Sequence, residues 1–186
     1  MRRAIASALM IVLVLLPGCG EREKQLQESF DALRAAVTHA EDIRFQAELT
    51  ADRGDWTESY GLSVTYDGAQ TVVEVLSPEE IAGISASALR GETKLRYDGI
   101  ILGAGPLDEE GITPMSAMPV LLDGLASAYV ELLWREDDML AARLFVGEQS
   151  VLTVWMDPDS LAPLAAEIAR DGRTVIACRI EDWQLR

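Results

Sequence analysis

From Arg22 to about Ala40 the chain carries neither Gly nor Pro, and Leu26, Phe30, Leu33 and Val37 recur at intervals of four, three and four. That period draws one apolar stripe along a helix, which predicts an amphipathic element that must bury the stripe against something else. After Glu41 the period falls to two: Ile43, Phe45, Ala47 and Leu49 alternate with Arg44, Gln46, Glu48 and Thr50. A half-buried antiparallel strand reads this way. The pattern returns at once, with Tyr60, Leu62, Val64 and Tyr66 on one face and Ser59, Gly61, Ser63 and Thr65 on the other. Asp67-Gly68 then leads into Thr71 to Leu76, and an Asp-Gly pair between two such runs marks a hairpin, because tight primed turns demand positive φ.

Asp98-Gly99, between Thr93–Tyr97 and Ile100–Leu102, and Asp171-Gly172, between Ala165–Ile168 and Arg173–Ile176, predict two more hairpins. The middle of the chain breaks the rhythm. Gly103 to Pro114 is a loop rich in Gly, Pro and acid, and Met115 to Tyr129 follows with Met118, Leu121, Leu122 and Leu125 at helical spacing. Beyond it Val130–Trp134, Leu140–Val146, Ser150–Met156, Leu164–Ala169 and Arg173–Trp183 each read as strands. The order is one helix, about five strands, a loop with a short helix, and about five more strands. Short strands in antiparallel order favour a sandwich or a barrel-like curved sheet, whose concave face is where a one-striped helix buries itself. The class is therefore α+β, mainly β.

The N-terminus follows a different logic. Met1-Arg2-Arg3 is a short cationic stretch, and Ala4 to Leu16 is an uncharged run of Ala, Ile, Leu, Val and Met. A membrane span needs roughly 20 apolar residues, so this shorter run reads as a secretory signal. It ends in Leu16-Pro17-Gly18-Cys19, which resembles the lipobox of bacterial lipoproteins: Leu three before the cysteine and a small residue just before it fit, whereas Pro17 departs from the small or aliphatic residue usual there. The resemblance implies a signal peptide over residues 1–18 and a mature body over 19–186 that is held in a membrane by a diacylglyceryl group on Cys19. Two acyl chains give effectively permanent attachment where one does not. Gly20 is not the Asp that resembles an inner-membrane retention signal, which favours the outer membrane in a two-membrane host and the cell membrane otherwise.

Cleavage leaves 168 of the 186 residues, enough for one domain with a sizeable core, and a monomer is expected. Loss of Arg2 and Arg3 takes the formal charge from −15 to −17, which excludes nucleic acid as a natural partner and turns the protein surface away from anionic lipid. With Cys19 acylated, Cys178 is a lone thiol among Val175, Ile176, Ala177 and Ile180, where cysteine acts as a small apolar side chain.

The order of elements, with the segment Trp155 to Glu167, in which a strand, an Asp-Pro turn and a strand beginning at Pro163 follow one another, resembles the superfamily of LolA and LolB, the bacterial lipoprotein carrier and receptor. The resemblance implies an unclosed antiparallel β-barrel of about 10–11 strands with an N-terminal helix and a short plug or lid helix, whose cavity holds acyl chains of lipoproteins or other lipids. The anchor is similar to the receptor branch or to the lipid-binding lipoproteins of bacteria without a standard outer membrane, and departs from the soluble carrier. Candidates to line such a cavity are Phe45, Leu49, Leu62, Val64, Trp134 and Trp155, with Met115, Met118, Leu121 and Leu122 as an adaptable lid. The same side chains would equally make the filled core of a non-catalytic module that docks another envelope protein.

Reactive chemistry is thinly represented. His39 stands near the end of the first helix without a second histidine or cysteine at ligand spacing. Gly103-Ala104-Gly105-Pro106 lacks the third glycine of a dinucleotide fingerprint, and no Gly-Lys-Ser, Gly-Lys-Thr or Gly-x-Ser-x-Gly motif occurs. The acidic clusters Asp108-Glu109-Glu110, Glu136-Asp137-Asp138 and Asp157-Pro158-Asp159 lack the alternating oxygen ligands and glycine of a calcium loop. Neither an enzyme, a cofactor nor a metal is expected.

Overall fold

The computed structural model of the chain describes residues 19–89, 92–105 and 113–186. The signal segment 1–18, the side chain of Cys19 and the acidic cluster at 108–110 lie outside the described residues. Helix α1 spans Cys19–Thr38, followed by strands β1 (Ile43–Asp52), β2 (Thr57–Tyr66), β3 (Thr71–Ser77), β4 (Ser85–Leu89), β5 (Glu92–Tyr97) and β6 (Ile100–Gly105). Helix α2 (Pro114–Ser127) leads to β7 (Tyr129–Glu136), β8 (Met139–Phe145), β9 (Ser150–Met156), β10 (Pro163–Arg170) and β11 (Arg173–Leu185).

All eleven strands form one antiparallel sheet in the order β6-β5-β4-β3-β2-β1-β11-β10-β9-β8-β7. The first and last strands pair at its centre, Ala47 opposite Ile180 and Leu49 opposite Cys178. The chain thus walks outward from the middle to one edge at β6, crosses to the far edge, and walks back from β7. Because β6 and β7 do not pair, the sheet stays open, and α2 stands between these two edge strands in chain order. No helix among the described residues is long and apolar enough to cross a membrane.

Alternation decides which face is inner. In β1, Ile43, Phe45, Ala47, Leu49 and Ala51 are buried and the residues between them are exposed or half-exposed. In β9, Ser150, Leu152, Val154 and Met156 are buried while Val151, Thr153 and Trp155 are not. The apolar stripe of α1 joins this core: Phe30, Leu33 and Val37 are almost fully buried, and Leu26 packs at its margin.

The turns show the same chemistry in different forms. Asp98-Gly99 and Asp171-Gly172 both take positive φ at both positions, 46° and 79° then 51° and 77°, as a two-residue primed turn requires. At Asp67 only Gly68 is left-handed, at φ 81°, and the connection is four residues long. There the Asp67 carboxylate accepts from the N–H groups of Ala69 and Gln70, which holds the wider loop and keeps its pKa below the usual carboxylate range. Strand β4 is one element the periodicity did not mark out, since Ser85-Ala-Ser-Ala-Leu offers small residues where the pattern needs large ones. Helix α2 also ends two residues earlier than its spacing predicts, and Tyr129 opens β7.

Candidate functional site

Helix α2 is built to start abruptly and to lie flat against apolar side chains. Thr113 caps it reciprocally with Ser116: the Ser116 N–H donates to Thr113 Oγ1, and the Thr113 N–H donates to Ser116 Oγ. Pro114 fills the first turn, where a missing N–H costs nothing. Ala117, Met118, Leu121, Leu122 and Leu125 are all at most 4% exposed, and Met115 sits at the margin of the same cluster. Gly124 allows the closest approach: a Cβ there would stand 2.8 Å from Leu152 Cδ2 and 3.2 Å from Val146 Cγ1.

The polar tethers of α2 run to α1. Arg34 donates from Nε to the Leu125 carbonyl at 3.1 Å and from Nη2 to the Ala128 carbonyl at 2.6 Å. It thereby supplies donors to the carbonyl end of the helix, where a cation is favoured, while its guanidinium stacks 4.9 Å from the Phe30 ring centre. Against the sheet, α2 presents hydrocarbon; against α1, it is hydrogen-bonded.

Of the side chains singled out in the sequence, Phe45, Leu49, Leu62, Val64, Met118, Leu121 and Leu122 come together in this buried cluster. Trp134 and Trp155 do not, and their placement in a cavity wall is corrected here. Trp155 falls between the inward Val154 and Met156, and Trp134 pairs through Ala141 with Trp155, so both indoles lie on the outer face. Their N–H groups converge on one oxygen, Glu136 Oε2, at 3.0 and 2.9 Å. Ala141, on the same outer face between them, is fully buried although it is no part of the inner cluster. The hydrogen bond from Trp155, and then that from Trp134, holds the Glu136 carboxyl below the usual glutamate range. The period of two assigns both indoles to the face opposite the cluster.

Further inner-face residues were missed: Leu144, Leu152 and Met156 are fully buried, and Trp183 packs 5.1 Å from Phe45, ring centre to ring centre. Their alternation was legible in β8 and β9. Cys178 is buried on the inner face, and burial pushes its thiol up to about 12, so it remains protonated and apolar. His39 is exposed, its Nδ1 2.8 Å from the Ala35 carbonyl oxygen.

The inner face is not covered throughout. On the β4–β6 side Leu95, Tyr97 and Ile100 continue the inward register, Leu95 opposite Ala86 and Tyr97 opposite Ile100, yet Tyr97 is 52% and Ile100 is 60% exposed. Thr93, on the same register, is buried and its hydroxyl has no hydrogen-bond partner among the described residues. Among the described residues, the open mouth of the sheet therefore has a plugged side and an apolar side that no helix covers. Among the described residues no three His, Cys, Asp or Glu side chains gather as a metal site.

An unclosed eleven-stranded antiparallel barrel plugged by helices is the architecture that the LolA and LolB resemblance implied. No family model matches the chain, and neither does any curated protein sequence. Among solved structures the chain is similar to an uncharacterized conserved protein from Thermus thermophilus, with 12% identity over 86% of each chain and a TM-score of 0.52, which shows a shared fold. A LolA superfamily protein from Nitrosomonas europaea also matches, at 11% identity over 86% of this chain and 93% of that one, with a TM-score of 0.49. So does the lipoprotein LppX from Mycobacterium tuberculosis, at 12% identity over 85% and 94%, with a TM-score of 0.44.

Proposed function

We propose that the protein is a non-catalytic extracytoplasmic lipoprotein, tethered through a diacylglyceryl group on Cys19, that takes acyl chains of lipoproteins or of other lipids into the mouth of its open barrel. The observation that carries this reading is the contrast at that mouth: α2 meets the sheet through hydrocarbon alone at Ala117, Met118, Leu121, Leu122 and Leu125, and the inner face continues as the exposed Tyr97 and Ile100. An acyl chain laid along Tyr97 and Ile100 covers side chains that otherwise face solvent. Each methylene it buries contributes about 0.8 kcal/mol, so a long chain needs only part of its length covered to bind.

Phe45, Leu49, Leu62 and Val64 form the floor that is exposed when Met115, Met118, Leu121 and Leu122 move away. The test is native mass spectrometry and organic extraction of the purified chain, together with titration of a fluorescent fatty acid. Saturable binding that Ile100→Asp weakens supports the reading. Recovery of no lipid and a linear, unsaturable titration overturn it and leave the filled module that docks another envelope protein, which the close packing of α2 on the sheet favours.

A further inference from the structure

On the plugged side, the first turns of α1 lie beside the far end of β7, and a groove of about 560 Å³ opens between them, lined by Arg22, Gln25 and Leu26 of α1 and Arg135 of β7. Two guanidinium groups sharing one groove stand out in a body with a formal charge of −17 after loss of Arg2 and Arg3. Among the described residues neither Arg22 nor Arg135 has an ion-pair partner within 4 Å, although Arg44, Arg53, Arg143 and Arg173 do. The carboxylates adjacent in sequence are Glu21, Glu23 and Glu136, and Glu136 is engaged by the two indoles on the outer face.

The groove offers two planar donor forks and an amide to an anion, with Leu26 as an apolar wall. Guanidinium forks match the oxygens of a phosphate ester, and an aliphatic wall suits the glycerol and first methylenes beside it. The position of the chain terminus selects the source. Cys19 lies three residues before Arg22 on the same helix, about 5 Å along its axis at 1.5 Å per residue. A cysteine whose glyceryl group sits at the headgroup level brings the groove to that level. We propose that Arg22, Gln25 and Arg135 bind the phosphate of a phospholipid headgroup in the bilayer that holds the anchor, docking this end of the barrel on the membrane. The proposal rests on the anchored reading of Cys19 and is independent of acyl uptake at the mouth.

Arginine labelling with phenylglyoxal, read by peptide mass spectrometry, tests it on the full lipidated chain in nanodiscs, after intact mass has confirmed the diacylglyceryl group. In phosphatidylglycerol discs Arg22 and Arg135 should label more slowly than in discs of digalactosyldiacylglycerol, which lacks phosphate, by about fivefold if each headgroup contact contributes what a basic residue does at a bilayer surface. R22Q should return Arg135 to its galactolipid rate in phosphatidylglycerol discs, with Arg143 and Arg173 unchanged as internal controls. Equal labelling in the two discs overturns the proposal, as does equal protection in galactolipid discs by millimolar inorganic phosphate, which would make the groove a general anion site. Absence of the diacylglyceryl group from the intact mass overturns the anchor and the docking that rests on it. A lipidated chain with unprotected arginines sinks the docking alone.

Discussion

The two sides of the open sheet are made from the same kind of strand and end in opposite states. On the side of β8 and β9 the inner residues Leu140, Ala142, Leu144, Leu152, Val154 and Met156 are all at most 2% exposed; α2 packs through Gly124 beside Leu152 and Leu144, and Arg34 bonds its carbonyl end to α1. On the side of β4 to β6 the inner register holds Ala86, Leu95, Tyr97 and Ile100, and its last two members face solvent. One side spends its apolar surface on stability. The other keeps it available, as a binding surface must be.

The largest effect that separates the two sides should come from truncating the covered one. Leu144 is fully buried in β8, and Leu144→Ala removes three carbons from a packed contact, which should cost about 2–5 kcal/mol in urea unfolding. A loss below about 1 kcal/mol would mean that α2 does not pack there in solution. Next is Gly124→Ala, where two effects oppose each other. Alanine gains about 1 kcal/mol of helix propensity over glycine, but its Cβ would stand 2.8 Å from Leu152 Cδ2 with Val146 at 3.2 Å. Overpacking of this kind costs about 1–3 kcal/mol, so the balance should be destabilising, and α2 should exchange its amide protons faster. Stabilisation by this substitution would show that the plug stands off the sheet.

A smaller and purely local effect is expected on the outer face of the same strands. Hydrogen bonds from Trp155 and Trp134 hold the Glu136 carboxyl below its ordinary value. A depressed carboxylate contributes stability above its unfolded pKa, about 4.3 for glutamate, and loses it as the pH falls through the lower folded value. Acidification through that window should therefore release the indoles and shift tryptophan emission to the red, with no change between pH 6 and 8. Glu136→Gln should remove the acid transition, and an unchanged transition in this variant would assign it to another group.

These contrasts also explain what could be read from the chain beforehand. The strands whose inner faces are packed announced themselves, since a buried face selects large apolar side chains at every second position, as in Ile43, Phe45, Ala47 and Leu49. Where little packs on the sheet, that selection relaxes. The small residues of β4 gave no strand pattern, and nothing in Tyr97-Asp98-Gly99-Ile100 separates a covered inner face from an uncovered one, because that depends on where α2 comes to rest. The outer position of the indole pair was legible in the alternation of β9, where Trp155 falls between the inward Val154 and Met156. Arg34 was invisible for a third reason: its partners, the carbonyls of Leu125 and Ala128, lie 91 and 94 residues away and are backbone atoms, which no side-chain pattern encodes.

The smallest stability change should come from the open side, and there it is the informative outcome. Tyr97→Ser and Ile100→Ser remove side chains that are already 52% and 60% exposed, so each should move unfolding by no more than about 0.5 kcal/mol. Burial of the same side chains by an acyl chain would be lost in these variants. Each buried methylene contributes about 0.8 kcal/mol and a tenfold change in affinity corresponds to about 1.4 kcal/mol, so loss of a few such contacts should weaken a fluorescent fatty acid by about tenfold or more. The pairing of unchanged stability with lost affinity is the signature of a surface held open for a ligand. Unchanged affinity with unchanged stability would make Tyr97 and Ile100 ordinary surface residues, and it would remove the functional meaning of the difference between the two sides while leaving their structural difference intact.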